Sequence, residues 1–277
     1  MIAGNNSPDS NRQPAPPERI TYGDAALQFG DLRLPAGAGP HPVVILIHGG
    51  FWRAPYGLDL MAGLADDLQA HGIASWNIEY RRIGDLGGGW PGTLVDVAQA
   101  TDHLRLLVTP YSLDLSRVVP VGHSAGGHLA FWLAARRRIA LSDLPPEVPA
   151  SIIATPLRLV STISLAGVID LDAGWQHNLG RGAVAELLGG SPTTVTDRYG
   201  IADPVALLPL GVPQCIIHGS ADDRVPLALS EAYVLRAQAA GDAVQLRALP
   251  GVDHFAPVDP ASQAWAITRK ELDRFLA

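Results

Sequence analysis

A β-branched run at 117–121, RVVPV, leads directly into Gly122-His123-Ser124-Ala125-Gly126, and small and apolar residues then continue at helical spacing over 125–138. Two glycines around a serine, between a buried strand and a helix, permit a turn that is too tight for side chains at those places. The turn holds the Ser124 hydroxyl above the sheet edge and aims the helix N-terminus at negative charge developing there. The bare five-residue pattern arises by chance ~0.15 times in a chain of this composition, so its weight comes from where it sits. A chain organised around such a turn needs neighbouring strands and helices to bury both of its flanks.

The remaining sequence supplies them. Short continuous apolar runs predict strands at 43–47, 73–78, 159–166, 213–218 and 244–249 beside the one at 117–121, and a partly alternating stretch covers 25–34. Helical spacing predicts helices over 58–70, 93–108, 125–138, 227–240 and about 260–276. Strands alternating with helices predict an α/β fold whose mostly parallel sheet is covered on both faces. Two irregular stretches, 140–156 and 170–211, break the rhythm after strands, where insertions lie at the ligand-binding edge of such a sheet and act as lids or pocket walls. Residues 1–19, rich in Pro, Asn and Ser, are expected to form a flexible tail, with a single domain over 20–277.

Composition removes several classes of function. The net charge is −7, from 20 Lys and Arg against 27 Asp and Glu, with no basic run, so no nucleic-acid partner is expected. The single cysteine, Cys215, supports neither an internal disulfide nor a Cys-rich zinc site and is expected to be a small buried hydrophobe. Histidines occur without an HExxH pattern, so no metal is expected. Gly87-Gly88-Gly89-Trp90-Pro91-Gly92 lacks a P-loop lysine and dinucleotide spacing, so no cofactor is expected either. The N-terminus has no basic and apolar leader, and 151–169 is interrupted by Pro156 and Arg158, which predicts a cytoplasmic protein without a membrane segment.

A serine hydroxyl becomes a good nucleophile only beside a base, and the base must be oriented by a carboxylate. Folds with this turn place nucleophile, acid and base in that chain order. Of the histidines after Ser124, His128 lies on the helix that Ser124 opens, and His218 ends a strand and fixes its turn. His177 falls in the irregular insertion as a candidate pocket residue. His254, in the loop 250–257 between the last strand and last helix, is the candidate base. The candidate acid lies in the loop after the strand at 213–218, where Asp222 is favoured over Asp223, the latter being placed to pair with Arg224 at the surface. Asp170 and Asp172 are lesser alternatives whose expected role is capping or turn formation.

Acyl transfer also needs donors aimed at the oxyanion. The backbone N–H of Ala125 is one candidate, and the N–H groups of Gly50 and Phe51 in His48-Gly49-Gly50-Phe51-Trp52 are the others. Phe51 and Trp52 are expected to wall an apolar pocket. Tyr80-Arg81-Arg82 could hold a substrate carboxylate, but an arginine pair after a strand more often makes structural ion pairs.

With HGGFW at 48–52, GHSAGGH at 122–128, HGSADDRVP at 218–226 and DHF at 253–255 in this order, the chain resembles the α/β-hydrolase superfamily over about 20–276. Within it, the chain is similar to the esterase branch that includes kynurenine formamidases and hormone-sensitive-lipase-like carboxylesterases. The resemblance implies an α/β-hydrolase fold, a Ser124–Asp222–His254 triad, an oxyanion hole of Gly50, Phe51 and Ala125, and an acyl-enzyme mechanism without cofactor. Hormone-sensitive-lipase relatives typically carry HGGG and often GDSAGG, where this chain has Phe51 and His123. Kynurenine formamidases often carry Tyr where this chain has Phe51. The expected activity is a carboxylesterase for short acyl esters, with an arylformamidase second and a small-peptide or amide hydrolase third. The expected partner is a small-molecule ester or amide.

Overall fold

A computed structural model describes residues 15–277. Eight strands form one sheet: β1 (Glu18–Thr21), β2 (Phe29–Arg33), β3 (His41–Ile47), β4 (Ala74–Ile78), β5 (Leu113–His123), β6 (Thr162–Leu165), β7 (Gln214–Gly219) and β8 (Val244–Leu249). Their spatial order is β1-β2-β4-β3-β5-β6-β7-β8. The six strands from β4 to β8 run parallel, and β1 and β2 add an antiparallel edge.

The continuous apolar character of β3 has a direct explanation in the core. Val43, Ile45 and Ile47 point into one hydrophobic cluster, whereas Val44 and Leu46 point into a second on the opposite face. A strand buried on both sides has no polar face to alternate with. The first cluster is closed by α2 (Gly92–Tyr111), α3 (Ala125–Ala135) and α8 (Leu227–Ala239), and the second by α1 (Ala62–Ala70) and α9 (Gln263–Leu276). Cys215 is buried in the second cluster.

Several boundaries differ from the sequence expectation for identifiable reasons. The helix expected over 125–138 ends at Ala135 and tightens into a single 3-10 turn at Arg136–Arg138. Arg136 is drawn inward, where its Nη1 and Nη2 each donate to the Asp102 carboxylate on α2 at 2.8 Å and Nη1 also donates to the Ile152 carbonyl at 2.7 Å. The last helix starts at Gln263 rather than 260 because the Ser262 side chain accepts the Trp265 N–H and caps it. β1 starts at Glu18, two residues before the expected onset of structure; residues 1–14 of the expected tail lie outside the described residues.

The stretch 140–156 carries a 3-10 turn and the one-turn helix α4 (Ser151–Ala154). The stretch 170–211 carries α5 (Leu171–Gln176), α6 (Ala183–Leu188) and α7 (Thr196–Ala202). The longer stretch is tied to α3: His128 Nε2 donates to the Ala202 carbonyl and Trp132 Nε1 to that of Ile201, both at 2.9 Å. Asp203 follows α7 and is 4% exposed, with its carboxylate accepting the N–H of Val205 at 3.1 Å and of Asp172 at 3.3 Å. Burial, reinforced by the neighbouring Asp170 charge, pushes its pKa up to about 7. A carboxyl whose folded pKa is raised penalises the fold when it ionises, so stability falls as pH rises from 3.8 through about 7 and is level above. Asp203→Asn is therefore expected to flatten this part of the stability profile, read as urea midpoints between pH 4.5 and 8. An unchanged pH dependence would contradict the assignment.

Candidate active site

Ser124 sits between the end of β5 and the start of α3 at φ 55° and ψ −118°. This sparsely populated conformation costs on the order of 1–3 kcal/mol and is held by its surroundings. The Ser124 N–H donates to the Leu165 carbonyl at 2.8 Å, and the Ser124 carbonyl accepts the N–H groups of Gly127 and Val168. The glycines around it are sterically required. A Cβ at Gly122 would collide with the Gly126 carbonyl, and one at Gly126 with the carbonyls of Ile47 and His48. Close approach of β3, β5 and α3 thus forms the turn whose sequence first identified it.

His254, in the loop after β8, donates from Nδ1 to Asp222 Oδ2 at 2.7 Å. Asp222 lies in the loop after β7, and its Oδ1 accepts the N–H groups of Arg224 and Val225, each at 2.8 Å. A second histidine approaches the same carboxylate. His218, fully buried at the end of β7, places Nε2 3.2 Å from Asp222 Oδ2 and 2.8 Å from the Val225 carbonyl, while Nδ1 lies 2.7 Å from Ser230 Oγ. Burial alone would raise the Asp222 pKa, but hydrogen bonds from His218, His254 and the Val225 N–H hold it far below the usual carboxylate range. Asp223 is exposed and 3.3 Å from Arg224 Nε. Asp170 caps α5 through the Ala173 N–H and pairs with Arg236 at 2.8 Å; Asp172 accepts from Gln176.

The 48–52 segment follows β3 and turns through three successive positive φ angles: 106° at Gly50, 51° at Phe51 and 56° at Trp52. A Cβ at Gly50 would collide with the Tyr56 ring. Glu79, at the end of β4, anchors this segment from below. Its carboxylate lies 2.9 Å from His48 Nε2 and accepts the N–H groups of Leu58 and Tyr80. The Tyr80 hydroxyl donates to the His48 carbonyl at 2.9 Å, and the Tyr80 and His48 rings stack 4.3 Å apart. Burial opposes ionisation of Glu79, but the His48 contact, the Tyr80 N–H and nearby Arg82 bring its pKa below the ordinary value. Among the described residues, no hydrogen bond uses the N–H of Gly50, Phe51 or Ala125.

Ser124 and His254 line one cavity of about 120 Å³, with Gly50, Phe51, Tyr56, Leu60, His123, Arg224 and Phe255 completing the wall. Neither Ser124 Oγ nor His254 Nε2 is hydrogen-bonded to another described residue. Two expected pocket residues are elsewhere. Trp52 is fully buried beneath the loop, its ring edge-on to His128 at 5.3 Å. His177 ends α5 with an exposed side chain and does not line the cavity. Tyr56, Leu60 and Phe255 take those places; Phe255 stands in the DHF motif without having been read as a pocket residue, and no sequence pattern marked Tyr56 or Leu60.

His123, the residue before Ser124, also has a contact that the sequence did not indicate. It is buried, and burial, with the adjacent His254 adding to the effect, pushes its pKa down to about 3, leaving the ring neutral near pH 7. A carbonyl can only accept, so His123 Nε2 carries the proton that bonds the His254 carbonyl at 2.8 Å. This bond ties the loop bearing His254 to the turn bearing Ser124. Arg81 and Arg82 are engaged by Asp96 and Asp85, which leaves them structural. Among the described residues no group of three His, Cys, Asp or Glu side chains is placed to hold a metal ion, and no helix is long and apolar enough to cross a membrane.

Comparison with known proteins follows the same lines. A family model described as BD-FAE matches residues 31–236. Esterase LipC of Mycobacterium tuberculosis is 28% identical over 253 residues, which cover 85% of this chain and 59% of LipC. Kynurenine formamidase avaC of Aspergillus versicolor is 28% identical over 225 residues, covering 69% of this chain and 73% of that protein. The chain spans between 54% and 59% of the length of its esterase and methylesterase relatives. A truncated carbohydrate esterase from gut microbiota superposes with a TM-score of 0.77 at 20% identity, covering 97% of this chain and 98% of that one. The architecture is the α/β-hydrolase fold.

Proposed function

Because the chain belongs to the BD-FAE family, we propose that it is a serine hydrolase cleaving short-acyl carboxylic esters through an acyl-enzyme intermediate. The observation that carries this reading is the 2.7 Å bond from His254 Nδ1 to a deeply ionised Asp222, with His254 and Ser124 lining one small cavity. In this reading, bonding to Asp222 fixes the His254 tautomer that leaves Nε2 as the proton acceptor. Nε2 takes the Ser124 proton as Oγ attacks the ester carbonyl, and the carbonyl oxygen gathers negative charge against the N–H groups of Gly50, Phe51 and Ala125. The tetrahedral intermediate collapses, its bond to the alcohol oxygen breaks, and His254 returns the proton to that oxygen. Water then repeats the sequence on the acyl-enzyme and releases the acid. The reaction uses no cofactor.

The size of the cavity supports short acyl groups: about 120 Å³ has room for a few carbon atoms, and Phe51, Tyr56, Leu60 and Phe255 give it apolar wall. The stretch 170–211 would shape access, since α6 is joined to the 48–56 loop through a 2.8 Å Arg53–Glu186 ion pair. The formamidase relative supports a second reading, an arylformamidase, because a formyl group also fits such a space. The experiment is kcat/KM for p-nitrophenyl esters from acetate to decanoate beside N-formylkynurenine, for the wild type and Ser124→Ala. The expected result is Ser124-dependent turnover peaking between acetate and butyrate. Much faster turnover of the formamide would replace this reading with the second, and a peak at long chains would refute the role given to the cavity.

A further inference from the structure

We propose that Arg224 forms an anion subsite at the mouth of the Ser124 cavity, selecting esters whose leaving group carries a second, ionised acidic group such as a carboxylate. The inference rests on the serine-hydrolase reading and adds a substrate class to it. Arg224 is the one cationic side chain among the described residues lining the cavity. Its backbone is fixed, since the Arg224 N–H is bonded to Asp222 Oδ1 at 2.8 Å. Its side chain is 56% exposed and therefore reaches the mouth rather than the floor.

The availability of this guanidinium sets it apart from the other arginines near the site. Arg53 is paired with Glu186 at 2.8 Å, Arg81 with Asp96 at 2.7 Å and Arg82 with Asp85 at 2.9 Å. Among the described residues Arg224 is paired only with Asp223, at 3.3 Å, and that carboxylate is 74% exposed. Such a rim pair is weak and screened. No hydrogen bond within the described residues uses the Arg224 guanidinium, so its planar fork of donors is free for a bidentate partner. Geometry then decides which part of the substrate it meets. With a short acyl group filling the cavity, the part that projects past the mouth is the alcohol portion. Tyr56 and Phe255, each about half exposed on the same wall, give that portion an apolar surface to lie against.

The test uses two acetate esters differing in one group, 4-acetoxybenzoate and 4-acetoxybenzamide, with the wild type, Ser124→Ala, Arg224→Gln and Arg224→Lys. Comparing one pair of esters across the variants cancels their intrinsic reactivity. The expected result is a carboxylate-to-carboxamide ratio of kcat/KM roughly three- to tenfold lower in Arg224→Gln than in the wild type, partly retained in Arg224→Lys, and shrinking with salt in the wild type. An equal ratio in wild type and Arg224→Gln, with Ser124-dependent turnover of both esters, overturns the anion subsite and leaves the hydrolase reading standing. Absence of Ser124-dependent turnover of either ester overturns both.

Discussion

Asp222→Asn is expected to lower kcat on a short p-nitrophenyl ester by roughly 10⁴-fold, whereas Asp223→Asn stays within a few-fold of wild type. The two residues are adjacent and chemically identical, so only their surroundings separate them. Asp222 accepts from His254 Nδ1 at 2.7 Å and from two backbone N–H groups; Asp223 is exposed and, among the described residues, paired only with Arg224. An asparagine at 222 can still accept the N–H groups of Arg224 and Val225 through its oxygen. Its NH₂ group then faces His254 Nδ1, and two donors cannot share that contact. The imidazole must take the other tautomer, with its proton on Nε2, where it cannot accept the Ser124 proton. Thermal unfolding separates this from misfolding, since the backbone contacts survive the change. A larger loss in Asp223→Asn would overturn the assignment of the acid.

Ser124→Ala is expected to cost more, on the order of 10⁵–10⁶-fold in kcat, because it removes the atom that forms the covalent bond. Residual turnover would reflect the N–H donors and binding alone. The small Cβ of alanine occupies the same strained backbone as serine, so the melting temperature should change little while activity disappears. Retention of more than about a tenth of the wild-type rate would place the nucleophile elsewhere.

Much of the site could be read in the sequence because tight backbone packing leaves a chemical trace. Gly122 and Gly126 are glycines because carbonyl oxygens occupy the space where a Cβ would go, and Gly50 because Tyr56 does. The buried strand centres could be read for a related reason: Val43–Ile47 of β3, Val118, Val119 and Val121 of β5 and Cys215–Ile217 of β7 face apolar clusters on both sides. The antiparallel edge was less legible. β1 is four residues long and mostly exposed, and β2 includes Asp31 and Arg33, whose charges are met by Arg19 and Asp66 from other segments.

The cavity wall was the least legible part. Trp52 stood beside Phe51 in an apolar run, but backbone twist sends consecutive side chains in different directions, and only Phe51 reaches the cavity. The contact of His123 with the His254 carbonyl and the approach of His218 to Asp222 join residues 131 and four positions apart, through loops whose paths local pattern does not encode. Asp222 could be separated from Asp223 in the sequence only by assigning Arg224 to the surface. That residue pairs with Asp223 and also borders the cavity, two roles that a single sequence cannot divide.

Covalent attack by Ser124 can be read by peptide mass spectrometry after treatment with a fluorophosphonate. One adduct per chain is expected, on the peptide containing Ser124, with labelling abolished in Ser124→Ala and strongly slowed in Asp222→Asn. An adduct on another residue, or equal labelling of the wild type and Ser124→Ala, would contradict it.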